Sequence, residues 1–467
     1  MRLPSPVPRL SPRPPRRWRL SWAGVAVLGL GLATGCSHGT AAERPLDARA
    51  QAREYLAKNQ PERALPLLEA EAARAPEDLE LARALTEAQV KAGHTDAWIA
   101  ELQRRNAKAE RAVNHYMLGL AYFSRASDAG GPAVAAFERA LELKPDEPEF
   151  HYRLGLARLE SEQYAEAVGP LRRAAELAPE RAGIRLPLAK ALHRTGDSKG
   201  AVAALGALVR MNPSPSEVAT ARALMDQIAD PFARFPKAAE GKLEEGMRYL
   251  QELDAPHPAI AAFEEILRDY PDLAVVHALL GLAWQRLDDA GRAVEEFKRA
   301  IELAPEDGKN HFYLGELYLS RQRPEAARPY LEKAVALNPM LDMAWFRLGD
   351  LHLERKDLKA AGEAFQVLTV LEPDQVPPRG KLALVRQLEG DWAGAERELM
   401  AVVDKDPENV EFALRLGILF TEQARQSSRP EERKEAAGKA EHWLRKVLET
   451  QPENAVASRA LQQLKGP

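Results

Sequence analysis

One cysteine and ten histidines are the side chains of this 467-residue chain best suited to nucleophilic or metal chemistry. Cys36 stands alone, so no disulfide can form within the chain and its thiol is left for other covalent chemistry. Four histidines share a phase: His115, His151, His277 and His311 each precede by three residues the leucine of a Leu-Gly pair, a place held by Trp345 elsewhere. A zinc ion needs several ligands about 2 Å away, whereas equivalent residues on neighbouring helical units lie about 10 Å apart. The histidines therefore follow a repeat, and no metal is assigned. The chain has no His-Glu-x-x-His, no phosphate-gripping glycine loop and no Gly-x-Ser-x-Gly elbow. Acidic residues are many, but they fall on solvated helix faces and in turns such as Pro305-Glu306-Asp307. The sequence assigns no catalytic residue and no cofactor.

What positions these residues is a period. Pro145, Pro179 and Pro213 stand 34 residues apart, as do Pro271, Pro305, Pro339, Pro373 and Pro407. Proline cannot continue a helix, so each one sets a turn between units. A strict 34-residue period predicts helix pairs stacked into a solenoid, each packing on its neighbours.

The recurring residues resemble the tetratricopeptide repeat. Leu280-Gly281 precede Trp284, then Ala293, Phe297, Ala300 and Pro305; Leu314-Gly315, Tyr318, Ala327, Leu331, Ala334 and Pro339 follow. Trp345, Leu348-Gly349, Ala361, Phe365 and Pro373 continue the pattern, and Leu154-Gly155, Tyr164, Ala167, Leu171, Ala174 and Pro179 show it in the first half. Gly and Ala let two helices approach closely, and the aromatic fills the space beside them. The resemblance implies an all-α, right-handed superhelical solenoid of antiparallel helix pairs, with eleven units over 45–454. The blocks expected are 45–213 and 239–454, with a flexing connector over 214–238 and a capping helix over 455–467. An insert near 426–434 in the last unit reads as a solvated, mobile loop.

The N-terminus reads as an address. Residues 1–20 are basic and proline-rich, and the apolar run 21–34 is too short to span a bilayer. Leu32-Ala33-Thr34-Gly35-Cys36 resembles the lipobox of bacterial lipoproteins, with Ala33 where that family usually has Leu. The resemblance implies a signal peptide over 1–35, lipidation of Cys36, and a tether over 36–44. Ser37 after the cysteine suggests the outer membrane, on the periplasmic face of the envelope. The first 35 residues hold six arginines and no acid, so without them the formal charge of −4 becomes −10. An acidic body argues against a nucleic-acid partner.

In the repeat family the first helix of each unit lines a concave groove. The resemblance puts Tyr116, Leu120 and Phe123 there, with Tyr152, Leu156 and Leu159, Leu282, Phe312, Glu316 and Leu319, and Phe346, Asp350 and Leu353. Tyr116 and Tyr152 fit packing against neighbouring helices equally well. An apolar groove accepts amphipathic helices or extended apolar peptides. The expected function is a non-catalytic protein-interaction scaffold that binds envelope proteins or peptides. Narrower readings are an assembly factor for a pilus, secretin or polysaccharide export complex, or a regulator of cell-wall enzymes.

Overall fold

The left-handed backbone positions keep the repeat's time. Positive φ recurs every 34 residues at Asn59 and Gly93, at Glu162 and Gly196, and at Asp254, Asp288, Gln322, Lys356 and Gly390. Each reverses the chain between the two helices of one unit. An aspartate then often begins the second helix: the Asp289 carboxylate accepts the backbone N–H of Arg292 at 3.1 Å, and Asp357 that of Ala360 at 3.2 Å. Such capping satisfies a donor that has no partner inside the helix.

The computed structural model describes residues 47–125 and 130–464, so Cys36, the signal segment and the tether lie outside the described residues. Among the described residues there are twenty-four α-helices and no strand. Five antiparallel pairs come first: α1 (Ala48–Ala57) with α2 (Pro61–Arg74), α3 (Leu79–Lys91) with α4 (Thr95–Lys108), and α5 (Ala112–Phe123) with α6 (Gly131–Leu143). Then come α7 (Pro148–Glu160) with α8 (Tyr164–Leu177), and α9 (Arg185–Arg194) with α10 (Ser198–Val209). A lone α11 (Pro215–Ile228) follows. Six more pairs begin with α12 (Glu240–Gln251) and α13 (Pro256–Asp269), α14 (Ala274–Arg286) and α15 (Ala290–Leu303), and α16 (Gly308–Ser320) and α17 (Pro324–Leu337). They end with α18 (Asp342–Glu354) and α19 (Leu358–Leu371), α20 (Val376–Glu389) and α21 (Trp392–Val403), and α22 (Val410–Gln426) and α23 (Pro430–Thr450). A final α24 (Ala455–Leu464) packs on α22 and α23.

The signature residues hold the pairs together. Ala293, Phe297 and Ala300 on α15 are fully buried. A β-carbon on Gly281 would come within 2.5 Å of the Phe297 ring, so only glycine allows α14 and α15 this approach. The phased residue six positions after a turn proline secures the turn instead, because its side chain donates to the proline carbonyl. His151 reaches Pro145 O at 2.7 Å, Arg185 reaches Pro179 O at 3.0 Å and His277 reaches Pro271 O at 3.0 Å. His311 reaches Pro305 O at 3.2 Å and Trp345 Nε1 reaches Pro339 O at 3.0 Å. Three different N–H donors thus serve one turn, which accounts for three of the four phased histidines; His115, with Ala109 in the proline's place, meets Glu110 at 2.9 Å instead.

One expectation needs correction. The insert near 426–434 is mostly helix: it lengthens α22 to 17 residues and α23 to 21, leaving only Ser427, Ser428 and Arg429 between them. Its Glu, Lys, Arg and Ala content favours helix, and Pro430 fits a first helical position. Within the connector over 214–238, α11 is packed, while Phe232, Arg234 and Lys237 beyond it are exposed. Val218, Ala221, Leu224 and Met225 are buried in a core that runs from α8 through α11 into α17–α20, while α12–α14 have a core of their own.

Candidate binding groove

First helices of successive units touch one another: α3 meets α5, α7 meets α9, and α14 meets α16. The residue after each signature glycine is rotated about 100° from the packing face, so this row of residues lines the side of the first helices away from their partners. Along the chain the row reads Leu120, Leu156, Lys190, Met247, Leu282, Glu316, Asp350, Leu384 and Ile418, with Ala189 and Ala383 in the glycine's place on α9 and α20. It falls into three stretches of different chemistry.

The N-terminal stretch is apolar and mostly covered. Leu120 and Phe123 are half-buried and packed on the core of the first pairs, and Leu156 is half-buried. Tyr152 and Leu159 are half-buried against the central core. Tyr116 is not a groove residue. It is fully buried, its ring centroid lies 5.3 Å from that of Phe150, and its hydroxyl donates to Glu149 Oε1 at 3.0 Å. Glu149 is also gripped by Arg153 Nε at 2.6 Å and by the Arg181 guanidinium, which lies 4.5 Å over the Tyr152 ring. Burial pushes the Glu149 carboxyl up, but the Arg153 and Arg181 guanidiniums outweigh it and hold the group below the usual carboxylate range. Burial and the adjacent Glu149 charge push the Tyr116 phenol up. With three donors on it, this carboxylate ties α5, α7 and the start of the next pair together, and it is not free to act as a base.

The middle stretch is an acid–base ladder between first helices. Arg347 on α18 grips Glu316 on α16 in a fork, at 2.8 and 3.1 Å. Lys381 on α20 meets Asp350 on α18 at 2.9 Å. Phe312 and Phe346 flank this ladder, half-buried on the central core, with Phe346 edge-on to Phe365 at 6.3 Å.

The C-terminal stretch is the uncovered one. Leu384 is 40 %, Leu388 56 % and Ile418 36 % exposed, where the equivalent leucines further upstream are half-buried. Leu384 and Leu388 stand one helical turn apart on α20, and Ile418 holds the phase of Leu384 on α22. The sequence-derived groove stops at Leu353 because α20 carries Leu382-Ala383 in place of a Leu-Gly pair. Carrying the 34-residue phase on from Gly349 through Ala383 to Gly417 reaches both Leu384 and Ile418.

Three family models described as tetratricopeptide repeat match the chain. One matches residues 116–182 and 312–376, a second 158–225 and a third 274–307. Among solved structures, YrrB, described as a TPR protein with an unusual peptide-binding site, is 19 % identical. It covers 43 % of this chain and 98 % of its own, with a TM-score of 0.38. The pilF protein of Pseudomonas aeruginosa is 19 % identical over 48 % of this chain and 96 % of its own, at 0.37. MamA is 19 % identical over 36 % of this chain and 96 % of its own, at 0.32. A search of curated proteins finds no match to the chain.

Proposed function

We propose that this chain, built of tetratricopeptide repeats, is a protein-interaction scaffold that docks partners through the C-terminal stretch of its groove. The observation that carries this reading is the uncovered row of Leu384, Leu388 and Ile418 beside the Asp350–Lys381 pair. Large apolar side chains cost free energy in water, and a row of them rimmed by charge suits the apolar face of an amphipathic helix or an extended apolar peptide. Affinity would come from a few such anchors rather than from the whole concave area.

The proposed setting is the periplasmic face of a bacterial envelope. Its support is the sequence around Cys36: a basic segment, a short apolar run, and the chain's only cysteine after Gly35. A diacylglyceryl group on that thiol plus a further acyl chain would anchor stably, where one chain alone is marginal. A tether over 36–44 spans about 30 Å at full stretch, which keeps the solenoid close to the membrane.

The test uses the full chain with Cys36→Ser as bait on detergent-solubilised envelope, followed by mass spectrometry. A second bait adds Leu384→Asp, Leu388→Asp and Ile418→Asp, with helicity matched by circular dichroism. A partner kept by the first bait and lost by the second supports the groove. Equal retention on both baits sinks the assignment.

A further inference from the structure

We propose that α10 and α11 form a latch that closes the N-terminal block onto the second-helix side of α17–α19, so that the two halves of the groove are held at one fixed angle. This goes beyond the binding reading and does not depend on what the groove holds.

The argument starts from the repeat phase. Pro213 follows Pro179 by 34 residues, so α11 stands where the first helix of a sixth unit belongs. Its second helix is missing: Pro231 and Pro236 interrupt the next stretch, and α12 opens a new phase. A first helix without a partner leaves an apolar face uncovered. Here that face packs toward α19, and α10 packs against both α17 and α19. Leu208, Val209, Val218 and Met225 share one core with Val367 and Leu371, across more than 140 residues of chain.

The polar contacts match. Arg222 on α11 donates to the carbonyl of Leu371 at 3.0 Å, meets Glu372 at 2.7 Å and lies 3.4 Å from the carbonyl of Met340. The Leu371 carbonyl ends α19, where helix carbonyls lack internal partners and a cation is favoured. Arg210 pairs with Glu363 at 2.6 Å and sits 5.1 Å over the Trp345 ring. Lys199 reaches Glu306 at 3.0 Å. Gly206 lies against Pro339. A cleft of about 200 Å³ at this contact is lined by Arg210, Trp345, His352 and Glu363. The ion pairs around this seam are partly exposed, so its strength should fall with salt.

Gly206 and Pro339 supply a direct test. A β-carbon on Gly206 would lie 3.8 Å from that of Pro339, the spacing of a native disulfide. The full chain carrying Cys36→Ser, Gly206→Cys and Pro339→Cys is treated with copper–phenanthroline and run on a non-reducing gel. A compact monomer with an internal bridge is expected. A disulfide-linked dimer would mean that the contact is made between copies, and a helical chain with no bridge would mean that it is not made; either overturns the latch. Should Pro339→Cys impair folding, Arg222→Ala reads the same proposal through trypsin at Arg234 and Lys237, which the structure leaves exposed. Losing these charge-assisted bonds should raise cleavage there about tenfold. Cleavage unchanged from the parent chain overturns it.

Discussion

The pair α14–α15 and the pair α18–α19, 68 residues apart, are one blueprint used in two ways. Gly281 matches Gly349, Ala293 matches Ala361, Phe297 matches Phe365, and the caps Asp289 and Asp357 coincide. Yet α15 buries three residues and α19 eight. The difference lies on the outer face. Where α15 has Arg292, Glu296, Arg299 and Glu302, α19 has Ala360, Ala364, Val367 and Val370. The charged face is solvated, and the apolar face is covered by the fold-back of α10 and α11. The repeat skeleton therefore determines how a pair closes, while the residues it leaves free determine what the pair can be pressed against.

The skeleton itself should give the largest effects. Phe297→Ala and Phe365→Ala each empty a fully buried site and should cost about 3–5 kcal/mol in denaturant unfolding. Hydrogen exchange should separate them: Phe297→Ala should loosen α14, α15 and the adjoining α16, whose Tyr313 stacks on the Phe297 ring at 5.9 Å, whereas Phe365→Ala should also release α11. Equal footprints would break the comparison.

Exchanging the outer faces comes next. Val367→Arg with Val370→Glu writes the α15 surface into α19 and places charge in the seam. Tryptic cleavage over 229–238 should appear while helicity is retained. The reverse exchange, Arg299→Val with Glu302→Val, should leave that cleavage unchanged and move stability by no more than about 0.5 kcal/mol.

The smallest effect concerns the turn donor, His277 in one pair and Trp345 in the other. Burial lowers the His277 imidazole, but its bonds to Glu296 at 2.6 Å and to the Pro271 carbonyl outweigh this and raise it above the usual 6.5. A raised folded value means that the folded state binds the proton more tightly. The added stability is present below pH 6.5 and is lost as pH rises through the folded value. The His277 contribution should therefore grow on going from pH 8.5 to 6, against the opposite effect of His311, whose imidazole burial pushes down. His277→Gln should make the melting temperature at pH 6, relative to that at pH 8.5, less favourable than in the parent chain. An unchanged pH profile in the variant would show that His277 contributes nothing to it.

Much of this was legible in the sequence because repeat contacts are short-range. Each proline, each Leu-Gly pair and each phased histidine meets a neighbour at most one unit away, so the contact recurs as a period. The phase also reaches Leu384 and Ile418, once the missing glycine at Ala383 is allowed for. Exposure was not legible. Tyr116 and Leu384 are both apolar groove-phase candidates, and only the packing of Phe137, Phe150 and Glu149 around the tyrosine separates them.

The sequence by itself determined the helix pairs, their number, their turns and the residues that join them, because each depends on chemistry within about one unit of chain. Only the tertiary structure decided that α11 stands unpaired against α19, that the insert near 426–434 lengthens two helices, and which groove residues remain open. Arg222 reaches Met340 and Glu372 across 118 and 150 residues, and Arg210 reaches Glu363 across 153. Those contacts are single events with no period. They arise from how the stack curves back on itself, a sum of small rotations over many units that no one segment of the chain encodes.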